Sequence, residues 1–248
     1  RGPRRAPRSP GGRAINLVLV AHGTRKSRGL EMIGDLAAKV STTLRRPVHV
    51  AFLDVLGPTP TEVLGSAEIL DRPTFVVPAF LSRGYHVNVD LPAHVGASGH
   101  PDVTVTAALG PSPQMARVVF RRLVESGWRP GDSVILGAAG TSDRAANGDL
   151  HATAALLSAI VGARVELAFA ATGSPRVADA VATARGQGAR RIVVASYLLA
   201  DGLFQDRLRE SGADVVTEPL GLCEGTVRLT ADRFRRAYLS RDLHHAVI

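Results

Sequence analysis

Short runs of aliphatic and β-branched residues alternate along this chain with longer stretches in which apolar positions recur every three or four residues. The runs are INLVLVA (15–21), VHVAFLD (48–54), TFVVPAFL (74–81), VTVTAAL (103–109), SVILGAA (133–139), RVELAFA (164–170), RIVVASYLL (191–199) and ADVVTE (213–218). Between them, LEMIGDLAAKVSTTLRR (30–46), PQMARVVFRRLVESG (113–127) and HATAALLSAIVGA (151–163) carry the periodicity of amphipathic helices. Near-continuous apolar strands separated by helices are buried on both faces, which predicts an α/β fold on parallel sheets. Eight strand–helix units in two sets of four fit the count.

The two sets are related. At an offset of 117 residues LVLVAHGT (17–24) becomes VILGAAGT (134–141), VHVAFLDVLGP (48–58) becomes VELAFAATGSP (165–175), and VVPAFL (76–81) becomes VVASYL (193–198). Three segments at one offset indicate a duplicated unit of roughly 110 residues. The turn-forming GWRPGD (127–132) marks the joint. The expected organisation is a basic leader over 1–13, a first half over 14–129 and a second over 130–248, with the 45% hydrophobic content able to fill a core in each half.

The net charge of +8 suggests a nucleic-acid partner until its location is considered. Arg1, Arg4, Arg5, Arg8 and Arg13 lie in the Pro/Gly-rich leader, and without them about +3 remains. Nucleic acid is therefore not an expected partner. Nor is a membrane, since no apolar run approaches the ~20 residues of a bilayer span. The leader lacks the apolar stretch of a secretory signal and is read as a disordered extension. Cys223 is the only cysteine, so no internal disulfide can form, which suits the reducing cytoplasm.

Candidate chemistry emerges where the halves differ. His22 faces Ala139, Asp54 faces Ala171, and His86 faces Leu203. A duplicated fold repeats its packing residues, whereas a single active site needs its chemical residues once. Each of the three sits at or just beyond the carboxyl end of a predicted strand, 32 residues from the next, where open α/β sheets bind ligands. Parallel strands ~4.8 Å apart would bring them to one cleft. Two imidazoles and a carboxylate suit Fe, Co, Ni or Zn better than Mg or Ca. Taken singly, each has an ordinary reading as a core histidine, a helix cap or a solvated side chain. Asp90 and His94 follow His86 at helical spacing, so Asp90 can orient the His86 ring, although Pro92 interrupts the helix. His49, His100, His151 and the His244–His245 pair have no motif context. GTRKS (23–27) lacks the spacing of a phosphate loop and no G-x-G-x-x-G follows the first strand, so neither ATP nor a dinucleotide is expected.

Four segments in order, VAHGTRKSRGLE (20–31), AFLDVLGPTPTEVL (51–64), VVPAFLSRGYHVNVDLP (76–92) and ALGPSPQMARVV (108–119), resemble the motifs of the class II chelatases of the CbiX/SirB type, in their long two-half form. The resemblance implies a chelatase-like fold of two α/β halves, each with a mainly four-stranded parallel sheet, facing one another across a cleft. It implies insertion of a divalent metal into sirohydrochlorin. Ferrous iron, for sirohaem, is the first expectation and cobalt, for cobalamin, the alternative. His22 and His86 match the family's metal-binding and proton-accepting histidines. Asp54 stands where the family usually has glutamate, and its shorter side chain reaches less far toward the metal. Arg25, Lys26, Arg28 and Arg83 are the expected anchors for the polycarboxylate substrate. No cofactor beyond the metal substrate is implied, and with both halves in one chain a monomer can be complete. The same residues would also serve a metal or tetrapyrrole carrier that does not catalyse insertion.

Overall fold

The computed structural model describes residues 15–54 and 57–246; the leader expected over 1–13, and the side chains of His244 and His245, lie outside the described residues. Strands β1 (Asn16–Ala21), β2 (His49–Phe52), β3 (Thr74–Pro78) and β4 (Val103–Val105) form one sheet in the order β2-β1-β3-β4. Strands β5 (Ser133–Gly140), β6 (Val165–Thr172), β7 (Ile192–Tyr197) and β8 (Val215–Val216) form a second in the order β6-β5-β7-β8. All pairings are parallel. Each predicted apolar run corresponds to one strand, with β5 and β6 extending one and two residues beyond theirs. β4 and β8, at the β3 and β7 edges of the two sheets, are much shorter than the runs 103–109 and 213–218.

The duplication is visible in the register. Val18 lies opposite His49 and, 117 residues on, Ile135 lies opposite Glu166. In the third strand the offset changes: Val18 faces Val76, but Ile135 faces Val194. The expected match of VVPAFL (76–81) with VVASYL (193–198) is thus corrected by one residue. A one-residue slip turns every side chain to the opposite face, and it is Val193 and Ala195 that share the central core with Phe75 and Val77. The elements that follow begin at His86 and Leu203, where the offset of 117 returns.

The helices are α1 (Ser27–Leu44), α2 (Pro60–Leu64), α3 (Leu91–Ala97), α4 (Pro113–Glu125), α5 (Arg144–Val161), α6 (Val177–Gly186), α7 (Leu203–Arg209) and α8 (Glu224–Ala246). The outer face of the first sheet, Val18, Val20 and Val76, is covered by Leu64 of α2 and Leu91 of α3. On the second, Ile135 and Val194 meet Val177 of α6 and Leu208 of α7. The inner faces share one core, with Leu19 and Val77 in the same cluster as Leu136 and Ala195. An exchange of helices makes this possible. The helix α4, which follows the first sheet, packs on β7 and beside α5, while α8, which ends the chain, packs on β3 and beside α1. Arg241 of α8 forks the Asp102 carboxylate ahead of β4, with contacts of 2.7 and 2.6 Å. The two sheets are therefore separate in the chain but packed through one another's helices.

Helix α1 starts three residues before its periodicity suggests and α5 seven. The sequence predicts a helix over 151–163, yet α5 begins at Arg144, because the Asp143 carboxylate caps it by accepting the Ala145 and Ala146 N–H groups at 2.8 and 3.0 Å. Asn147-Gly148 reads locally as a turn. The helix runs through it and places Asp149 on its buried face.

At the carboxyl edge of the first sheet the halves meet through charge. Asp149 accepts from the Arg83 backbone N–H at 2.8 Å and from the Arg83 guanidinium at 3.0 and 2.6 Å. Asp201, also buried, pairs with Arg209 at 3.1 Å and with Arg28 at 3.3 Å, and Lys26 pairs with Asp206. Burial pushes both buried carboxyls up, but hydrogen bonds and charge from Arg83 at Asp149, and from Arg209 and then Arg28 at Asp201, outweigh it and hold each below the ordinary carboxylate range.

Two outcomes follow. Leu136→Ala should cost about 3 kcal/mol, and because the core is shared, urea unfolding followed by Trp128 fluorescence and by far-ultraviolet ellipticity should coincide in one transition; a separate early transition would contradict the shared core. A carboxyl held low in the folded state stabilises above its unfolded pKa of about 3.9 and ceases to do so as pH falls through the folded value. Urea midpoints should accordingly change little between pH 7 and 5 on account of Asp149 and fall below about pH 4, and Asp149→Asn should show a shallower acid fall than the parent. An equally steep fall would contradict this pairing.

Candidate active site

His22 directly follows β1, Asp54 lies two residues beyond β2, and His86 opens the turn that follows β3. Because β1 lies between β2 and β3, the strand order itself brings the three to one edge. The two imidazoles meet edge to face, with ring centroids 4.8 Å apart and planes at 86°. Phe80 stacks near His86 at 6.2 Å and Tyr85 meets it edge-on at 6.4 Å.

Hydrogen bonding sets the rings for the same task. His22 Nδ1 lies 2.8 Å from the Gly23 carbonyl oxygen, which can only accept, so Nδ1 carries the hydrogen and Nε2 keeps its lone pair. His86 Nδ1 lies 2.6 Å from Asp90 Oδ2, and a carboxylate partner likewise draws the hydrogen to Nδ1. In the neutral rings both Nε2 atoms thus keep a lone pair. The side chains are 46% and 37% exposed, open to an incoming ligand.

The four-residue spacing of His86 and Asp90 falls within a π-helical turn, His86–Asp90, closed by the Leu91 N–H on the His86 carbonyl. Pro92 has no N–H to continue an α-helical ladder and its ring would crowd the carbonyl four residues back, so a widened turn just ahead of it relieves both constraints. Beyond the turn α3 continues, but His94 points elsewhere, its Nδ1 2.7 Å from the Thr61 hydroxyl.

Asp54 Oδ2 lies 3.9 Å from His22 Nε2. This exceeds the ~3.3 Å between neighbouring ligands in a tetrahedral site with bonds of ~2.0 Å. Among the described residues no three His, Cys, Asp or Glu side chains are arranged to hold an ion. The set His22, Asp54 and His86 is present as two adjacent histidines with a carboxylate to one side, the aspartate stopping short where a longer side chain would reach further.

Three of the four expected substrate anchors also have acidic partners within the protein. Lys26, Arg28 and Arg83 are answered inside the protein by Asp206, Asp201 and Asp149 of the second half. Their charge serves first to join the halves. Arg25, the fourth, is exposed and has no acidic partner among the described residues. Sequence reasoning missed these three acids, since nothing local connects them to the histidine motifs. One signal was available: at the offset of the repeat Asp149 replaces Met32, an acid for an apolar residue on an amphipathic helix.

Apolar side chains are exposed beside His86 in the chain and at the start of α7. Tyr85 and Val89 are 60% and 46% exposed on the turn that carries His86, and Leu203 and Phe204 are 57% and 38% exposed at the start of α7. Gly202, just before α7, approaches the β1–α1 loop so closely that a Cβ there would lie 3.3 Å from Thr24 Oγ1. The Arg207 guanidinium lies 6.0 Å from the Phe204 ring centroid.

The CbiX family model matches residues 16–126 and again 133–237. A curated relative, the sirohydrochlorin cobaltochelatase of Methanothermobacter thermautotrophicus, is 27% identical over 130 residues, 44% of this chain and 90% of its own length. Among solved structures, SirB from Bacillus subtilis with Fe3+ superposes with a TM-score of 0.74 at 19% identity, covering 89% of this chain and 94% of that one. A CbiX described as the terminal enzyme for biosynthesis of siroheme in denitrifying bacteria gives 0.64 at 21% identity, covering 90% and 99%. These structures share the fold, two parallel four-stranded sheets flanked by helices. With the family model matched twice, once across each sheet and its helices, the chain belongs to the CbiX family.

Proposed function

We propose that this protein is a sirohydrochlorin chelatase that inserts a divalent metal, ferrous iron in our reading, into the free-base tetrapyrrole. The observation that carries the proposal is the pair of adjacent histidines, both with Nδ1 engaged and a lone pair kept at Nε2, at positions whose counterparts in the second half are Ala139 and Leu203. The curated relative named a sirohydrochlorin cobaltochelatase supports the substrate. SirB structures with Fe3+ and with cobalt share this chain's fold.

Insertion demands an ion held by few ligands and removal of two pyrrolic protons. A neutral imidazole does both, since one lone pair can bind a borderline metal or accept a proton. His22 and His86 hold the ion at one face of the macrocycle and take up the protons as the ring nitrogens replace them. Asp90 fixes His86 and steadies the positive charge that ring acquires. Asp54 adds negative charge on the His22 side. Tyr85, Val89, Leu203 and Phe204 offer apolar surface to the flat ring, with Arg25 and Arg207 at hand for its carboxylates. The reaction needs no ATP or other cofactor. Because the halves share one core, a single chain is complete as a monomer. We place it in the cytoplasm; Cys223 is buried and free, and among the described residues no helix is long and apolar enough to cross a membrane.

A carrier that binds metal or tetrapyrrole without joining them would use the same histidines, so turnover decides. Full-length protein incubated with sirohydrochlorin and Fe²⁺, and separately with Co²⁺, should accelerate the change in tetrapyrrole absorbance above the spontaneous rate. No acceleration with either ion would contradict the proposal, and the faster ion identifies the metal, which ligand type alone does not separate. His22→Ala and His86→Ala should each lower insertion at least a hundredfold with the folded ellipticity retained, whereas Asp54→Asn should lower it less, about tenfold. Near-normal turnover in either histidine variant would contradict the site.

A further inference from the structure

The segment between β3 and His86 is gripped by the other half of the molecule. Tyr197, buried at the end of β7, donates its hydroxyl to the Leu81 carbonyl at 3.0 Å. Burial pushes that phenol far above its ordinary range, so it remains a donor. Two residues on, Asp149 accepts from the Arg83 backbone N–H and from its guanidinium Nε and Nη2. Next along the chain, Gly84 approaches α5 so closely that a Cβ would stand 3.3 Å from the Ala146 Cβ. Ala146, Asp149 and Thr153 share one face of α5, and the Thr153 hydroxyl lies 3.3 Å from Tyr197 Oη.

The grip passes into the turn itself. The Arg83 carbonyl accepts from the Asn88 side chain at 2.7 Å, and Asn88 lies within His86–Asp90. The contact also has a counterpart related by the duplication. In the second half the Asp201 N–H points at the Met32 thioether, 3.3 Å away, as the Arg83 N–H points at Asp149. Thioether sulfur is a weak acceptor, and a buried carboxylate paired with arginine is a strong one. The strong version stands on the side that carries His86.

We propose that Asp149, assisted by Tyr197, is a positioning residue of the second half that fixes the segment Leu81–Arg83 and thereby sets His86 against His22. The degenerate half thus contributes the geometry of a metal site whose histidines it has lost. Asp149 acts through Arg83 and Asn88 and does not touch the ion. This inference rests on the reading of His86 as a metal ligand but not on turnover, so its test needs no tetrapyrrole.

The test is Co²⁺ binding to the full chain, followed by the visible absorption of the bound ion, for the parent, Asp149→Asn, Tyr197→Phe and His86→Ala. Asp149→Asn keeps the shape of the side chain and removes its charge, and Tyr197→Phe removes one hydroxyl from a buried ring, so both should stay folded. Asp149→Asn should weaken Co²⁺ binding about tenfold and Tyr197→Phe about threefold. In a His86→Ala background neither should weaken it further, because the residue they position is gone. An undiminished affinity in both single variants, an equal loss with and without His86, or Co²⁺ binding that does not depend on His86 would each overturn the inference. If the parent binds Co²⁺ through His86 and shows this pattern yet inserts no metal, the chelatase proposal fails while the positioning role stands.

Discussion

Neither half of this protein covers the inner face of its sheet alone: α1 and α5 each cover part of their own sheet, and the rest is covered from the other half. The helix that follows β4 lies against the second sheet and the helix that follows β8 lies against the first, so each half completes the other's core. Everything at the active site depends on this exchange. It fixes the two carboxyl edges relative to one another closely enough for side chains of one half to hydrogen-bond backbone atoms of the other. Leu81 and Arg83 could not be held from Tyr197 and Asp149 if the halves were hinged at the joint near residue 130.

On that frame the two halves have taken different chemical tasks. The first keeps the histidines, with hydrogen bonds at Nδ1 that leave both Nε2 atoms a lone pair. The second has alanine at one equivalent position and exposed apolar side chains at the start of α7, and it supplies the acids that neutralise three of the four cations flanking the histidine motifs. Two imidazoles without a closed cage of ligands are suited to an ion that must be handed on. A structural zinc site, by contrast, is closed by four ligands.

Much of this was legible in the residues. The apolar runs gave the strands because strands buried on both faces carry no alternation to obscure them. The repeat isolated His22, Asp54 and His86 because packing residues must recur and chemical ones need not. Three features were hidden. The slip of one residue between β3 and β7 is invisible in two runs of similar aliphatic residues and shows only in which face each side chain occupies. The early start of α5 was masked by Asn147-Gly148, whose local turn preference yields to the Asp143 cap and to packing. The acidic partners of the cations lie far along the chain, Asp149 being 66 residues from Arg83 and Asp206 180 from Lys26.

The central claim is that His22 and His86 jointly present one ion to the tetrapyrrole. X-ray absorption at the metal edge of the full chain, loaded with one equivalent of Co²⁺, tests it most directly. The expected spectrum contains outer-shell scattering from two imidazole rings, falling to one ring in either His22→Ala or His86→Ala. A coordination shell of oxygen atoms alone, or one unchanged by both substitutions, would contradict it.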